Sequence, residues 1–161
     1  MTGSPEVGPA VGSAAPDFTL KNQDREDVAL SALRGERAAL VVFYPFAFSG
    51  VCTGELTAVR DDLAAFQNER VQVLAVSCDH PFALKAWAGA QGFGFPLLSD
   101  FWPHGAVAQR YGVFNAAAGF ALRGTFLVDR AGIVRFTEVN QPGEARDQDG
   151  WRRAVAALAA V

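Results

Sequence analysis

Cysteine is nearly absent: 161 residues hold two, Cys52 and Cys78. Two cysteines cannot build a disulfide framework, so the chain reads as a protein of a reducing, cytoplasmic setting. Histidine is as scarce, and His80 and His104 stand at no ligand spacing from each other or from a cysteine. No metal site is expected, and no Cys–His hydrolase pair. A basic excess is missing: 14 Lys and Arg face 17 Asp and Glu, a net charge of −3. That excludes an electrostatic nucleic-acid surface, and there is no basic run to hold anionic lipid. The longest apolar stretch, residues 38–48, is interrupted by Pro45 and too short to span a bilayer. Residues 1–11 lack the basic and apolar regions of a signal peptide. There is no internal repeat.

Half the residues are apolar, which at this length supports a substantial core. One domain is expected over residues 15–161, behind a flexible tail at 1–14 that is rich in Gly, Pro, Ala and Ser.

The chain is organised around Tyr44-Pro45-Phe46-Ala47-Phe48-Ser49-Gly50-Val51-Cys52-Thr53-Gly54-Glu55. A solid apolar run, 38–44, leads in. It reads as a strand buried on both faces, which points to parallel pairing in an α/β sheet. An amphipathic run, 53–66, leads out, with Leu56, Val59, Leu63 and Phe66 at helical steps. The turn therefore puts Cys52 at or just inside a helix N-terminus. Unpaired N–H groups and the positive end of the helix dipole lie there. A thiolate is the anion best served by that position, so the pKa of Cys52 is expected to fall. Glu55, one turn on, would oppose this if bare, and is expected to pair with an arginine.

Elsewhere, 17–20 and 28–30 read as short strands, and Ser31 as the cap of a brief turn ending at Gly35. Residues 71–77 form a second core strand. Helix 81–91 follows, with Asp79 as cap and Pro81 in the first turn. A short strand at 95–98 and a helix at 105–111 come next. Strands 121–129 and 133–139, joined by three residues, make an antiparallel hairpin. Residues 149–160 close the chain as a helix striped by Trp151, Val155 and Leu158. The strand–helix order makes the class α/β.

Pro45, Ser49 and Cys52 stand in a P-x-x-x-[TS]-x-x-C pattern that resembles the peroxidatic signature of peroxiredoxins, with Ser49 where most members have Thr. Arg123-Gly124-Thr125-Phe126-Leu127-Val128-Asp129 is similar to the strand that carries the family's active-site arginine. Ala15-Pro16-Asp17-Phe18-Thr19-Leu20 and Phe95-Pro96-Leu97-Leu98-Ser99-Asp100 also resemble family segments. Asp100-Phe101-Trp102-Pro103-His104-Gly105 and Gln141-Pro142-Gly143-Glu144 look most like the one-cysteine AhpE group of actinobacterial peroxiredoxins. The likeness covers nearly the whole chain. It implies a thioredoxin-like fold with peroxiredoxin additions at the N-terminus and in the centre, a mixed central sheet flanked by helices.

The resemblance also implies a thiol-dependent peroxidase without a cofactor. Cys52 would attack hydrogen peroxide, an alkyl hydroperoxide or peroxynitrite and become a sulfenic acid. Arg123 would favour the thiolate and polarise the peroxide. Arg146 is a second arginine by resemblance. Ser49, three residues before Cys52, would hydrogen-bond the sulfur or the peroxide. Pro45 removes a backbone donor and would shape and dry the pocket. Thr57 stands where a same-helix resolving cysteine would be, and no cysteine follows Cys78. Cys78 itself reads as a packed core residue, with resolution of Cys52 after local unfolding or between subunits as the alternative. An external thiol is therefore expected to reduce the sulfenic acid: a low-molecular-weight thiol, a glutaredoxin-like protein or thioredoxin. Phe46, Phe48, Phe101 and Trp102 gather in loops near the site and suggest a homodimer or higher homo-oligomer face, or an apolar pocket for alkyl peroxides.

Two other functions compete. A thioredoxin-like thiol–disulfide oxidoreductase wants Cys-x-x-Cys, but Glu55 holds the second place. A non-catalytic binding module on the same fold has no need of Ser49, Cys52 and Arg123 together.

Overall fold

The computed structural model describes residues 8–140, 144 and 146–158. Residues 1–7 of the expected tail, the Gln141-Pro142-Gly143 part of one family-like segment, and residues 159–160 of the expected last helix lie outside them. In chain order the elements are β1 (Thr19–Lys21), β2 (Asp27–Ala29), a 3-10 turn (Leu30–Leu33), β3 (Ala38–Phe43), α1 (Gly50–Asp61), α2 (Leu63–Phe66), β4 (Val71–Ser77) and α3 (Pro81–Gln91). Then come β5 (Leu97–Ser99), α4 (Ala106–Arg110), β6 (Phe114–Asn115), β7 (Phe120–Ala121), β8 (Arg123–Val128), β9 (Val134–Asn140) and α5 (Gln148–Leu158).

Seven strands form one mixed sheet in the order β2-β1-β5-β4-β3-β8-β9. All six residues of β3 are buried, as its unbroken apolar run requires. It pairs parallel with β4 on one side and antiparallel with β8 on the other. The expected parallel pairing thus holds at one edge of the strand only. Alternation splits the core in two. Leu40, Val42 and Tyr44 face one cluster with Leu56, Val59, Trp87 and Trp151. Val41 and Phe43 face the other, with Phe18, Val107, Tyr111 and Phe126. Helices α1, α3 and α5 supply the first cluster. The segments before β3 and α4 supply much of the second.

Several local expectations are corrected. The run 53–66 is broken at Asp62, whose backbone (φ −128°, ψ 40°) is not helical, so α1 and α2 are separate. The cap of α3 is His80, whose Nδ1 accepts from the Phe82 amide at 3.2 Å; Asp79 is drawn elsewhere. Ser31 caps nothing: the first turn of the 3-10 segment starts from Ala29 without a side-chain bond. The strand expected from residue 121 starts at Arg123, because Ala121 belongs to the two-residue hairpin β6–β7. The described part of the tail is not loose. Gly12 N–H donates to Val134 O at 2.8 Å, and Ala14 bridges to Ile133. These are backbone bonds, to which composition is blind.

Candidate active site

The loop between β3 and α1 carries the centre. Ser49 precedes the helix as its N-cap residue, and Ser49 O accepts the first helical bond, from Thr53 N–H at 2.9 Å. The amides of Gly50, Val51 and Cys52 therefore lie ahead of that ladder. Cys52, third residue of α1, is only 1 % exposed and unbonded to another cysteine. In the loop, Phe48 takes a left-handed backbone (φ 67°) without being glycine, a conformation costing roughly 1–2 kcal/mol. Pro45 is half-buried at the loop's start. The Ser49 hydroxyl donates to Phe46 O at 3.0 Å, so its proton is turned into the loop rather than toward the sulfur.

Glu55 brings two arginines together one turn after Cys52. Arg123, first residue of β8, gives Nη1 to Glu55 Oε1. Arg146, just before α5, sets Nε 2.5 Å from Glu55 Oε2. The three side chains are 13 %, 8 % and 1 % exposed for Glu55, Arg123 and Arg146. Arg146 is further fixed through Nη1 to Thr125 Oγ1 at 3.1 Å and Gly124 O at 3.2 Å, and through Nη2 to Phe43 O. Its guanidinium lies 5.9 Å over the Trp151 ring. Burial pulls Arg146 below its ordinary pKa; Glu55 opposes that, Arg123 adds to it, and Cys52 opposes it. The Arg123 Nε is buried without a hydrogen-bond partner among the described residues, as are Arg146 Nε and Glu55 Oε2, which face each other as an ion pair only. Arg123 Nε is a donor left unspent, which a buried site retains only at a cost unless a ligand takes it up.

The geometry adds residues that the motif does not single out. Gln148 Nε2 donates to Glu55 O at 3.1 Å, tying α5 to α1. Tyr44 lies fully buried with its ring 5.4 Å from that of Trp87. Burial raises its phenol pKa, Ser77 opposes this, and Asp79 and Cys52 add to the rise. Strand alternation was the available signal: Tyr44 falls on the same face as Leu40 and Val42, the face that α1 covers. Gly124 also matters, since a Cβ there would lie 2.6 Å from Val113 Cγ1.

Cys78 follows β4 and is buried. Burial, then Asp100 and Asp79, push its thiol up to about 12. His80 and His104 both pack edge-on against the Phe101 ring, with centroids 5.1 and 6.1 Å away. Among the described residues no group of three or more His, Cys, Asp and Glu is arranged to hold a metal ion. No described helix is long and apolar enough to cross a membrane. Phe46, Phe48, Val51, Phe101 and Trp102 are all exposed, Trp102 to 81 %. A cleft of about 880 Å³ lies at the other end of β3, lined by Ala38, Arg70, Arg130, Arg135 and Leu158, and takes in none of the residues around Cys52.

The arrangement holds one buried sulfur at the positive end of a helix, one turn before a carboxyl that two guanidiniums share. It suits a thiolate and a small polar substrate that the unspent donors can bind.

Comparison with known proteins adds the following. A family model described as "AhpC/TSA family" matches residues 11–137. The chain is 57 % identical over 150 residues to alkyl hydroperoxide reductase E of Mycobacterium tuberculosis, covering 93 % of this chain and 98 % of that one. Among solved structures it is similar to Enterococcus faecalis AhpC, with a TM-score of 0.85, 29 % identity and coverage of 95 % and 94 % of the two chains. It is also similar to the reduced 2-Cys peroxiredoxin of Plasmodium vivax, with a TM-score of 0.83, 30 % identity and coverage of 93 % and 96 %.

Proposed function

We propose, from the premise that this chain belongs to the AhpC/TSA family and is a peroxiredoxin, a thiol-dependent peroxidase, that Cys52 is its peroxidatic residue. The observation that carries this is the burial of Cys52 at the start of α1, one turn before the Glu55 that holds Arg123, whose Nε is buried and unspent. The Cys52 thiolate attacks the terminal oxygen of the peroxide in line with the O–O bond. That bond breaks, an S–O bond forms, and the leaving alkoxide or hydroxide takes up a proton. Arg123 and the amides ahead of the first helical bond stabilise charge on the peroxide oxygens. Glu55 and Arg146 position Arg123. Pro45 and Ser49 shape the loop. The Ser49 hydroxyl accepts from the substrate while its own proton goes to Phe46 O.

The product is the sulfenic acid of Cys52 and an alcohol or water. An outside thiol condenses with it, releasing water and leaving a mixed disulfide. A second thiol then frees Cys52 as a thiol. One peroxide and two thiols thus give one alcohol, one water and one disulfide. Cys78 takes no part: its raised pKa keeps it a thiol, and thiolate is the attacking form. Hydrogen peroxide and alkyl hydroperoxides are the substrates, with peroxynitrite as a third. The reductant is a low-molecular-weight thiol, a glutaredoxin-like protein or thioredoxin, in the cytoplasm, where two free cysteines persist. The exposed rings of Phe46 and Phe48 in the β3–α1 loop and of Phe101 and Trp102 after β5 form the contact face of a homodimer or larger homo-oligomer.

One experiment tests the reading. Reduced protein is given one equivalent of hydrogen peroxide and its intact mass is taken. A rapid gain of one oxygen is expected in the wild type and in Cys78→Ser, and none in Cys52→Ser. Oxidation no faster than that of a free thiol would remove the reading.

A further inference from the structure

Asp79 takes no part in the chemistry above, yet it holds the loop that does. Its carboxyl turns back toward β3, where Oδ2 accepts from the Ala47 amide at 2.8 Å and from the Ser77 hydroxyl at 2.7 Å. Its own carbonyl accepts the Ser99 hydroxyl at 2.6 Å. Asp79 is thereby fixed from the ends of β4 and β5, and it passes one bond to the β3–α1 loop. Ala47 is the middle of that loop. It stands between Pro45 and Ser49 and directly before Phe48, the residue with φ 67°. A sparsely populated backbone conformation persists only where its surroundings over-determine it. Two side-chain bonds do so here, Asp79 to Ala47 N–H and Ser49 Oγ to Phe46 O.

We propose that Asp79 is a positioning residue for the peroxidase reaction: through Ala47 N–H its carboxyl oxygen sets the loop that aims Ser49 and the first amides of α1 at the peroxide. The inference rests on the reading of Cys52 given above. What matters is an acceptor at a fixed place. Asn keeps an oxygen there and Ala does not.

The test compares wild type, Asp79→Asn and Asp79→Ala in two reactions. The first is oxidation of Cys52 by one equivalent of hydrogen peroxide, followed by quenched-flow mass spectrometry. The second is alkylation of Cys52 by iodoacetamide, which needs a thiolate but no peroxide cradle. Asp79→Ala is expected to slow peroxide oxidation roughly tenfold to a hundredfold, as misplacement of a catalytic group does. Asp79→Asn should stay within about threefold of wild type, and alkylation should not slow in either. A folded Asp79→Ala that keeps the wild-type peroxide rate overturns the proposal. So does an Asp79→Asn as slow as Asp79→Ala, which would make charge the cause, and so does alkylation falling in step with oxidation. If Asp79→Ala does not fold, Asp79→Ser, whose hydroxyl is too short to reach the amide, carries the same expectation. In the wild type itself the Ala47 amide should exchange with deuterium at least about tenfold more slowly than a free peptide group; free exchange overturns the clamp whatever the variants do. A wild type that gains no oxygen at Cys52 removes the peroxidatic reading first, and this inference with it.

Discussion

Replacing Glu55 by Gln keeps the shape of the side chain and removes the charge that two buried guanidiniums share. Arg123 and Arg146 are 8 % and 1 % exposed at the side chain and Glu55 13 %. The pairing therefore belongs to the buried class, where loss of one partner costs about 3–5 kcal/mol, and not to the exposed class, worth at most about 1 kcal/mol. Arg146 keeps three other acceptors, Phe43 O, Gly124 O and Thr125 Oγ1. That places the cost near the lower end, about 3 kcal/mol. In urea, with a slope of about 2 kcal/mol/M, the unfolding midpoint should fall by about 1.5 M. Glu144→Gln removes the same charge from an exposed residue and should change stability by less than about 0.5 kcal/mol. Arg123, no longer held, should also lose its aim, lowering the rate of Cys52 oxidation by at least about tenfold. A Glu55→Gln midpoint equal to that of Glu144→Gln, at unchanged slope, would refute the reasoning, since the arginines would then not depend on Glu55.

Two further outcomes follow from titrating groups. Cys78, pushed up to about 12 by burial, Asp100 and Asp79, remains a thiol at pH 8, so iodoacetamide should label Cys52 alone in the native protein and both cysteines in urea; equal native labelling, read by peptide mass, would contradict this. For Asp129, burial alone would raise the carboxyl, but the Ile133 amide, Arg135 and the Ala131 amide outweigh it and hold it below the ordinary value. A depressed folded pKa adds stability above the unfolded pKa, and that stability is lost as pH falls through the folded value. Asp129→Asn should accordingly be less stable than wild type at pH 7 by about 1 kcal/mol, with the gap closing below about pH 4. Urea midpoints at pH 7 and pH 3 measure it, and a gap that widens in acid would reverse the assignment.

Short-range physics was legible in the sequence where one strong signal acted alone. The apolar run of β3 announced a strand covered on both faces, and the run after Cys52 announced a helix with the cysteine at its start. The need of Glu55 for a cationic partner followed from its place one turn after a thiol. Long-range polar bonds left no such trace. Asp79 looks like a cap from its neighbours, but an amide 32 residues earlier in the chain claims its carboxyl, and His80 takes the cap. The break at Asp62 was hidden because Leu56, Val59, Leu63 and Phe66 keep helical spacing straight through it. Two-residue strands such as β6 and β7 are too short to show any period. The Ser49 hydroxyl could have faced either way, and its choice of Phe46 O depends on how the loop turns at Phe48.

The guanidinium of Arg146 is the last of the cluster to leave the ribosome. The sulfur of Cys52 emerges 94 residues earlier, the difference of their positions, which at about 5–20 residues per second is a wait of roughly 5–20 seconds. Throughout that interval the nascent chain carries an ordinary thiol with no machinery around it. On the proposed reading, peroxide reactivity above that of a free thiol is expected only once the tail end of translation brings Arg146 and α5 home.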